Sequence, residues 1–217
     1  MPAARQPLLQ QDFPWRVCLL SGGASRRMGR DKALLPHPEG GCWLERTLAL
    51  LGTLQLPITL LSRHAEHRRR AEALARRSAL LLQAVDEPPP WEGPLRALQR
   101  LMALHPGERL LLCPVDLPQL GRTGLATLRR KAEAQAAPAG QVPPLLLAHD
   151  GTRLQPLLGV YPSRDDLRRD LDRFLATGER RLQGWLSRHP HQAVLLDPGE
   201  LRNVNHPQDW PILSLPP

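Results

Sequence analysis

Three features of the chain predict an α/β fold: a single Rossmann-like domain with a mostly parallel, twisted sheet and helices on both of its faces. Short apolar runs alternate with longer amphipathic segments, as strands joined by crossover helices do. The first apolar run, Arg16–Leu20, breaks straight into Ser21-Gly22-Gly23, a strand opening into a glycine loop. The length of 217 residues suits one domain whose core needs no disulfide or metal to hold it.

The elements follow in order. Arg16–Leu20 is apolar without alternation, the pattern of a strand buried on both faces. Cys42 to Leu54 reads as a helix, Ile58–Leu61 as a strand, His64–Ser78 as a helix rich in Arg, Ala and Glu, and Ala79–Val85 as a third strand. Pro94 suits a first helical turn, Leu95, Leu98 and Met102 share a face, and Pro106-Gly107 stops that helix. Arg109–Cys113 is the fourth strand, and a helix is expected near Leu125 to Ala134. After a loop with Pro138, Gly140, Pro143 and Pro144, strands return at Leu145–Leu147 and Leu157–Tyr161. Leu167, Leu171, Phe174 and Leu175 form a core-facing stripe within the predicted helix Arg164–Leu175, which Thr177-Gly178 ends. A short helix at Arg181–Leu186, a strand at Ala193–Leu196 and a loop from Leu201 to Pro207 complete the pattern. Residues 1–14 are expected to form a poorly ordered N-terminal extension to a domain spanning 15–217.

Net charge is +8, which suits either nucleic acid or a small polyanion. The distribution argues against nucleic acid. Arg68-Arg69-Arg70, Arg76-Arg77 and Arg129-Arg130-Lys131 fall in helix-like segments among Ala, Glu and Leu, as solvated faces do, and an aromatic content of 4% leaves little for base stacking. Cys18, Cys42 and Cys113 lack C-x-x-C spacing and read as reduced, mostly buried thiols. No apolar run reaches the ~18 residues of a membrane span, so a cytoplasmic protein without membrane contact is expected, and a monomer is the expected state by default. His64, His149 and His206 have no metal-site spacing and read as surface residues.

The most informative segment is Leu20-Ser21-Gly22-Gly23-Ala24-Ser25-Arg26-Arg27-Met28-Gly29-Arg30-Asp31-Lys32. Without Cβ atoms, Gly22 and Gly23 let backbone N–H groups approach anionic oxygens and are free to take positive φ. Arg26, Arg27 and Lys32 then supply counter-charge for a polyphosphate. The spacing matches neither G-x-G-x-x-G nor the P-loop. Lys32 stands out because it and Lys131 are the two lysines among 29 basic residues. A compact ammonium fits a tight phosphate loop where a flat guanidinium fork does not.

Further motifs stand along the chain. Asp86 precedes Gly93-Pro94-Leu95; Cys113-Pro114-Val115-Asp116-Leu117-Pro118 follows a strand; Gln155-Pro156-Leu157 opens another; Gly178-Glu179-Arg180-Arg181-Leu182 precedes Trp185-Leu186; and Asn203-Val204-Asn205-His206-Pro207 closes the series. In this order, over about residues 16 to 210, they resemble the molybdenum cofactor guanylyltransferases, and the loop resembles the L-x-G-G-x-x-x-R-M-G-x-x-K loop of related nucleotidyltransferases.

That resemblance implies a nucleotide-diphospho-sugar transferase-like fold and a Mg²⁺-dependent transfer of GMP from GTP to the terminal phosphate of molybdopterin, with Mn²⁺ as a substitute ion. The acceptor phosphate is already anionic at neutral pH and needs no base to activate it. The resemblance further implies catalytic roles for Lys32, Asp116 and Arg27. It implies GTP contacts from Leu20, Ser21, Gly22, Gly23, Arg26, Arg27, Lys32, Ser62, Asp86 and Asp116, and molybdopterin contacts from Asn203 and Asn205. Asp116, at the carboxyl end of a strand, is the expected metal ligand. Molybdenum-insertion proteins and apo-molybdoenzymes or their chaperones are the partners implied.

The chain departs from the family pattern at Ser21, where alanine is usual, which offers a hydroxyl to the base edge. The loop Pro36–Gly41 is also longer than usual. Other readings are transfer of CMP to molybdopterin, transfer of a nucleotide to a sugar phosphate, and a GTP-binding chaperone that carries molybdopterin without catalysis.

Overall fold

A computed structural model of the protein describes residues 14–23, 29–135 and 143–204. The expected extension lies outside these residues except for Pro14, whose carbonyl accepts a hydrogen bond from Arg109 N at 2.7 Å. Pro14 therefore already belongs to the folded domain.

Seven strands form one sheet in the order β3-β2-β1-β4-β6-β5-β7. β1 (Trp15–Leu20) lies between β2 (Ile58–Ser62) and β4 (Arg109–Pro114), parallel to both, and β3 (Leu82–Asp86) adds parallel to β2. β6 (Leu154–Pro162) runs antiparallel to β4 and to β5 (Leu145–His149), and β7 (His191–Leu195) pairs parallel with β5. The sheet is thus mostly parallel, as the alternation of elements requires; β6 is reversed, which suits the short turn joining β5 to it.

Helices cover both faces because β1 and β4 are apolar on both. Val17, Leu19, Leu111 and Cys113 pack with buried side chains of α1 (Trp43–Gly52), α2 (Ala65–Ser78) and α4 (Arg122–Glu133). Cys18, Leu110 and Leu112 pack on the other face against α3 (Pro94–Leu104), α5 (Asp165–Ala176) and α6 (Leu182–Leu186). The alternation of neighbours along each strand is the two-residue pleat made visible. All three cysteines are free and buried, and burial pushes the thiols of Cys18 and Cys113 well above their ordinary range.

The arginine-rich helices are solvated faces. Arg69 and Arg70 both pair with Glu66 within α2, and Arg129 pairs with Glu133 at 2.7 Å within α4. Such exposed pairs contribute only about 0.3–0.5 kcal/mol each, so the charge serves solubility more than stability.

At the amino end of the sheet, polar groups are buried together. His105, just after α3, places Nε2 2.9 Å from the hydroxyl of fully buried Thr59 on β2. Arg16 and Glu108, paired at 2.9 Å, flank the imidazole. Burial, reinforced by Arg16, holds His105 below the ordinary histidine range against the opposing pull of Glu108. The unfolded chain, with an imidazole near 6.5, therefore binds the proton more tightly. Stability is lost as pH falls through about 6.5 toward the folded value and is unaffected above it. Urea denaturation from about pH 7.5 to about pH 5 should show a steeper loss in the native chain than in His105→Gln. Equal slopes would show that His105 does not carry the effect.

Candidate active site

The carboxyl ends of β1 to β4 open onto a cleft of about 340 Å³, where open α/β sheets place their ligands. Each wall follows from where a strand stops. Beyond β1, Leu20, Ser21, Gly22 and Gly23 form one wall; Asp31, Lys32 and Ala33 return to the cleft at the far flank of the same loop. Pro114, Val115 and Asp116 continue from β4, Arg63 follows β2, and Glu87 follows β3. Gly93, Pro94 and Ala97 bring the amino end of α3 to the rim, the end whose partial positive charge favours anions.

Lys32 and Asp116 meet across the cleft. Lys32 Nζ donates to Asp116 Oδ2 at 3.1 Å and to the carbonyl of Val204 at 3.2 Å. A single 3-10 turn, Lys32–Leu34, carries the lysine, and Asp31 caps it by accepting from Ala33 N at 3.1 Å. Val204 N in turn donates to the carbonyl of Asp116 at 3.4 Å, and the Val204 side chain packs with Leu35 and Trp43. The Asn203-Val204 segment therefore reaches the site through Val204, whose carbonyl faces the lysine. Asn203 Nδ2 donates to Gln155 Oε1 at 3.1 Å, so two motif residues meet each other without lining the cleft.

Several expected contacts are placed differently. Gly22 and Gly23 do not have positive φ; among the described loop residues that conformation belongs to Gly29, at 62°. At Gly22 the constraint is steric: a Cβ there would lie 2.3 Å from Glu87 Oε2, and that carboxylate would have to shift, whereas at Gly23 nothing among the described residues stands within 4 Å. The Ser21 hydroxyl is turned inward, 2.8 Å from His67 Nδ1, because that buried imidazole offers the nearer partner; it does not face the cleft as a base contact. Ser62 is fully buried and donates to the Ser21 carbonyl at 2.8 Å, supporting the loop from beneath and lining no part of the cleft. Asp86 is likewise not a cleft residue. Its side chain is 66% exposed and bound by Arg68 of α2 at 2.7 Å, which draws it outward.

Its neighbour Glu87 takes the inward position. At 7% exposure, it accepts from Arg100 Nη1 at 3.0 Å through Oε1, while Oε2 faces Gly22. Burial raises its carboxyl above the ordinary range, partly offset by Arg100. The sequence did carry a signal for this: Glu87 is the last acid before three prolines, which turn the chain back toward the Gly93-Pro94 helix start. Trp91 stands at the rim with Nε1 donating to the Glu87 carbonyl at 2.8 Å, and the Arg63 guanidinium lies over its ring at 5.0 Å. His67, Arg63 and Trp91 are further cleft residues that sequence reading passed over. Arg26, Arg27, Asn205 and His206 lie outside the described residues.

A parallel sheet whose strand ends present a glycine loop, a lysine and an aspartate around one cleft defines a nucleotide-handling α/β domain of the transferase kind. The chain belongs to the family described as "MobA-like NTP transferase domain", which matches residues 17–193. It is 34% identical over 212 residues to "Probable molybdenum cofactor guanylyltransferase" of Rhodopirellula baltica, covering 96% of this chain and 93% of that protein. It is 33% identical to "Molybdenum cofactor guanylyltransferase" of Ectopseudomonas mendocina, over 96% of each. Among solved structures, "Molybdopterin-guanine dinucleotide biosynthesis protein A" of Archaeoglobus fulgidus shares the fold, with a TM-score of 0.66 over 92% of this chain and 96% of that one at 19% identity. A nucleotidyl transferase from Methanothermobacter thermautotroptrophicus does so too, with a TM-score of 0.66 over 91% and 94% of the two chains at 21% identity.

The contact between Gly22 and Glu87 is directly testable. Gly22→Ala should push the Glu87 carboxylate aside and cost about 1 kcal/mol in chemical denaturation, the low end of overpacking, and Glu87→Ala in the same chain should restore most of it. The same loss with and without Glu87 would contradict the contact.

Proposed function

We infer that the chain transfers GMP from GTP to the terminal phosphate of molybdopterin, releasing pyrophosphate and leaving the guanine dinucleotide form of the cofactor. The names of relatives that match almost end to end support the reaction. The observation that carries it here is the Lys32–Asp116 pair, 3.1 Å apart across the cleft between the glycine loop and the end of β4.

An oxygen of the acceptor phosphate forms a bond to the α-phosphorus as the bond from that phosphorus to the pyrophosphate oxygen breaks. Phosphoryl-type transfers ask a protein mainly for alignment and charge neutralisation, so no protein nucleophile or base is required. Lys32 binds phosphate oxygens of GTP, exchanging its contact with Asp116 for them. Backbone N–H groups of the Gly22-Gly23 segment and the amino end of α3 add fixed positive dipoles. Arg26 and Arg27, from the same loop, are assigned to the leaving pyrophosphate. Glu87 Oε2, beside Gly22, is assigned to accept from the adjacent N–H groups of the guanine edge. Asn203 and Asn205 are assigned to the acceptor side, where Asn203 acts through Gln155.

Asp116 fits a magnesium ion, with manganese as a substitute. Its Oδ1 makes no hydrogen bond among the described residues, and they contain no cluster of three or more His, Cys, Asp or Glu able to hold a metal alone. One carboxylate completed by water and substrate phosphates is the usual magnesium environment. When bound, the ion neutralises charge on the phosphates.

The protein works as a monomer in the cytoplasm, on small-molecule substrates, and hands its product to molybdenum-insertion proteins, apo-molybdoenzymes or their chaperones. Three free, buried thiols suit a reducing compartment. Among the described residues, no helix is long and apolar enough to cross a membrane. Transfer of CMP, transfer to a sugar phosphate and non-catalytic carriage are not favoured.

Incubation with molybdopterin, GTP and magnesium should give a mass-spectrometric product heavier by GMP and an equivalent of pyrophosphate, with CTP a poor substitute. No product, or preference for CTP, would contradict the reading. Asp116→Asn should lower the single-turnover rate by at least about 100-fold while changing GTP affinity by only a few-fold, since its interaction strengthens where charge develops. A near-native rate at saturating magnesium would remove Asp116 from that role. Lys32→Arg should lose about tenfold or more in kcat/KM, because a planar fork cannot replace a point charge in this turn, while Lys131→Arg stays native. Equal activity of the two variants would show that Lys32 is replaceable.

A further inference from the structure

We propose that His67, outside the glycine loop on the first turn of α2, is a positioning residue that fixes both flanks of that loop and divides its influence between nucleotide binding and turnover. The imidazole is 1% exposed and borders the cleft. Its Nδ1 lies 2.8 Å from Ser21 Oγ and 2.9 Å from the Ser21 carbonyl, with Ser62 Oγ at 3.1 Å. Its Nε2 lies 2.8 Å from Asp31 Oδ2. One ring thus touches the residue at which the chain leaves β1 and the residue at which it enters the Lys32 turn.

The two contacts act on different parts of the site. A carboxylate can only accept, so Nε2 carries a proton and donates it to Asp31. The other oxygen of Asp31 caps the turn that carries Lys32. His67 thereby sets the carboxylate on which the direction of the lysine depends. On the other side, Ser21 is held from three directions. Its N–H donates to the Leu61 carbonyl, its carbonyl accepts from Ser62, and its hydroxyl meets His67. The next peptide is that of Gly22, the wall against Glu87. The hydroxyl of Ser21 therefore belongs to this anchor. His64, at the residue before α2, sets its ring against that of His67 at a tilt of 42° with ring centres 4.7 Å apart, which limits rotation of the imidazole out of its place.

A side chain that only filled this space would affect folding alone. A positioning role separates by arm, because asparagine sets its amide where Nδ1 stands and glutamine reaches the place of Nε2. The proposal rests on the guanylyl-transfer reading, so the native chain must first form product from GTP and molybdopterin; if it does not, that reading fails on its own. With product formed, His67→Leu should lower kcat/KM for GTP by about 10- to 100-fold, the scale of a small misplacement of reacting groups. His67→Asn should keep KM for GTP within about twofold and lose about tenfold in kcat, whereas His67→Gln should keep kcat and raise KM. Ser21→Ala should raise KM in the native background and do nothing further beside His67→Leu. Rates are taken per folded molecule, with thermal midpoints measured in parallel. Native kcat and KM in His67→Leu would overturn the proposal. So would equal changes in all three variants that follow only the thermal midpoint, or additive losses from Ser21→Ala and His67→Leu. If His67→Leu does not fold, the opposed asparagine and glutamine effects decide.

Discussion

Everything in this molecule is arranged around β1, a strand buried on both faces between two parallel neighbours. A strand in that position must be apolar along its whole length, and it loses its cover where the helices above and below end. The chain at Leu20-Ser21 therefore passes within one residue from close-packed hydrocarbon to a polar cleft. The parallel direction brings β2, β3 and β4 to the same edge, so four strand ends deliver four loops to one place. Arg63, Glu87 and Asp116 are separated widely in sequence and meet there because the sheet gives them one boundary.

The charges divide in the same way. Arginines on α2 and α4 pair within their helices in high dielectric, where such pairs contribute little. The pairs at the cleft are more shielded: Lys32 with Asp116, Arg100 with Glu87, and His67 with Asp31. Each holds a group toward a site where charge must be met. Glu87 is kept in a position that burial disfavours, which is stability given up for a carboxylate beside Gly22.

The centre of the sheet was legible because its strands are nearly uninterrupted apolar runs and because Pro106-Gly107 and Thr177-Gly178 stop two of the helices; Ile58–Leu61 and Arg109–Cys113 each stop one residue short of the observed strand. Asp116 was placed by the end of its strand, whereas Lys32, on a turn well beyond β1, was marked by the loop motif and by its rarity among the basic residues. What the sequence did not disclose was direction. Asp86 and Glu87 are adjacent acids, and only the pleat of β3, with Arg68 on one side and Arg100 on the other, decides which turns inward. Ser21 and Ser62 show the same limit. Their hydroxyls look suited to a ligand, but His67, a residue of an arginine-rich helix with no motif of its own, draws both beneath the loop.

The chemistry is one direct transfer, in which Lys32, Asp116 and the loop align and neutralise phosphates and no side chain becomes covalently attached to GMP. The stereochemical course of transfer at the α-phosphorus tests this most directly. With GTP carrying sulfur in place of one α-oxygen, and the configuration of the dinucleotide product determined by phosphorus NMR, a single in-line displacement inverts the centre. Inversion is the result this account predicts. Retention would mean two displacements through a guanylylated side chain and would contradict it.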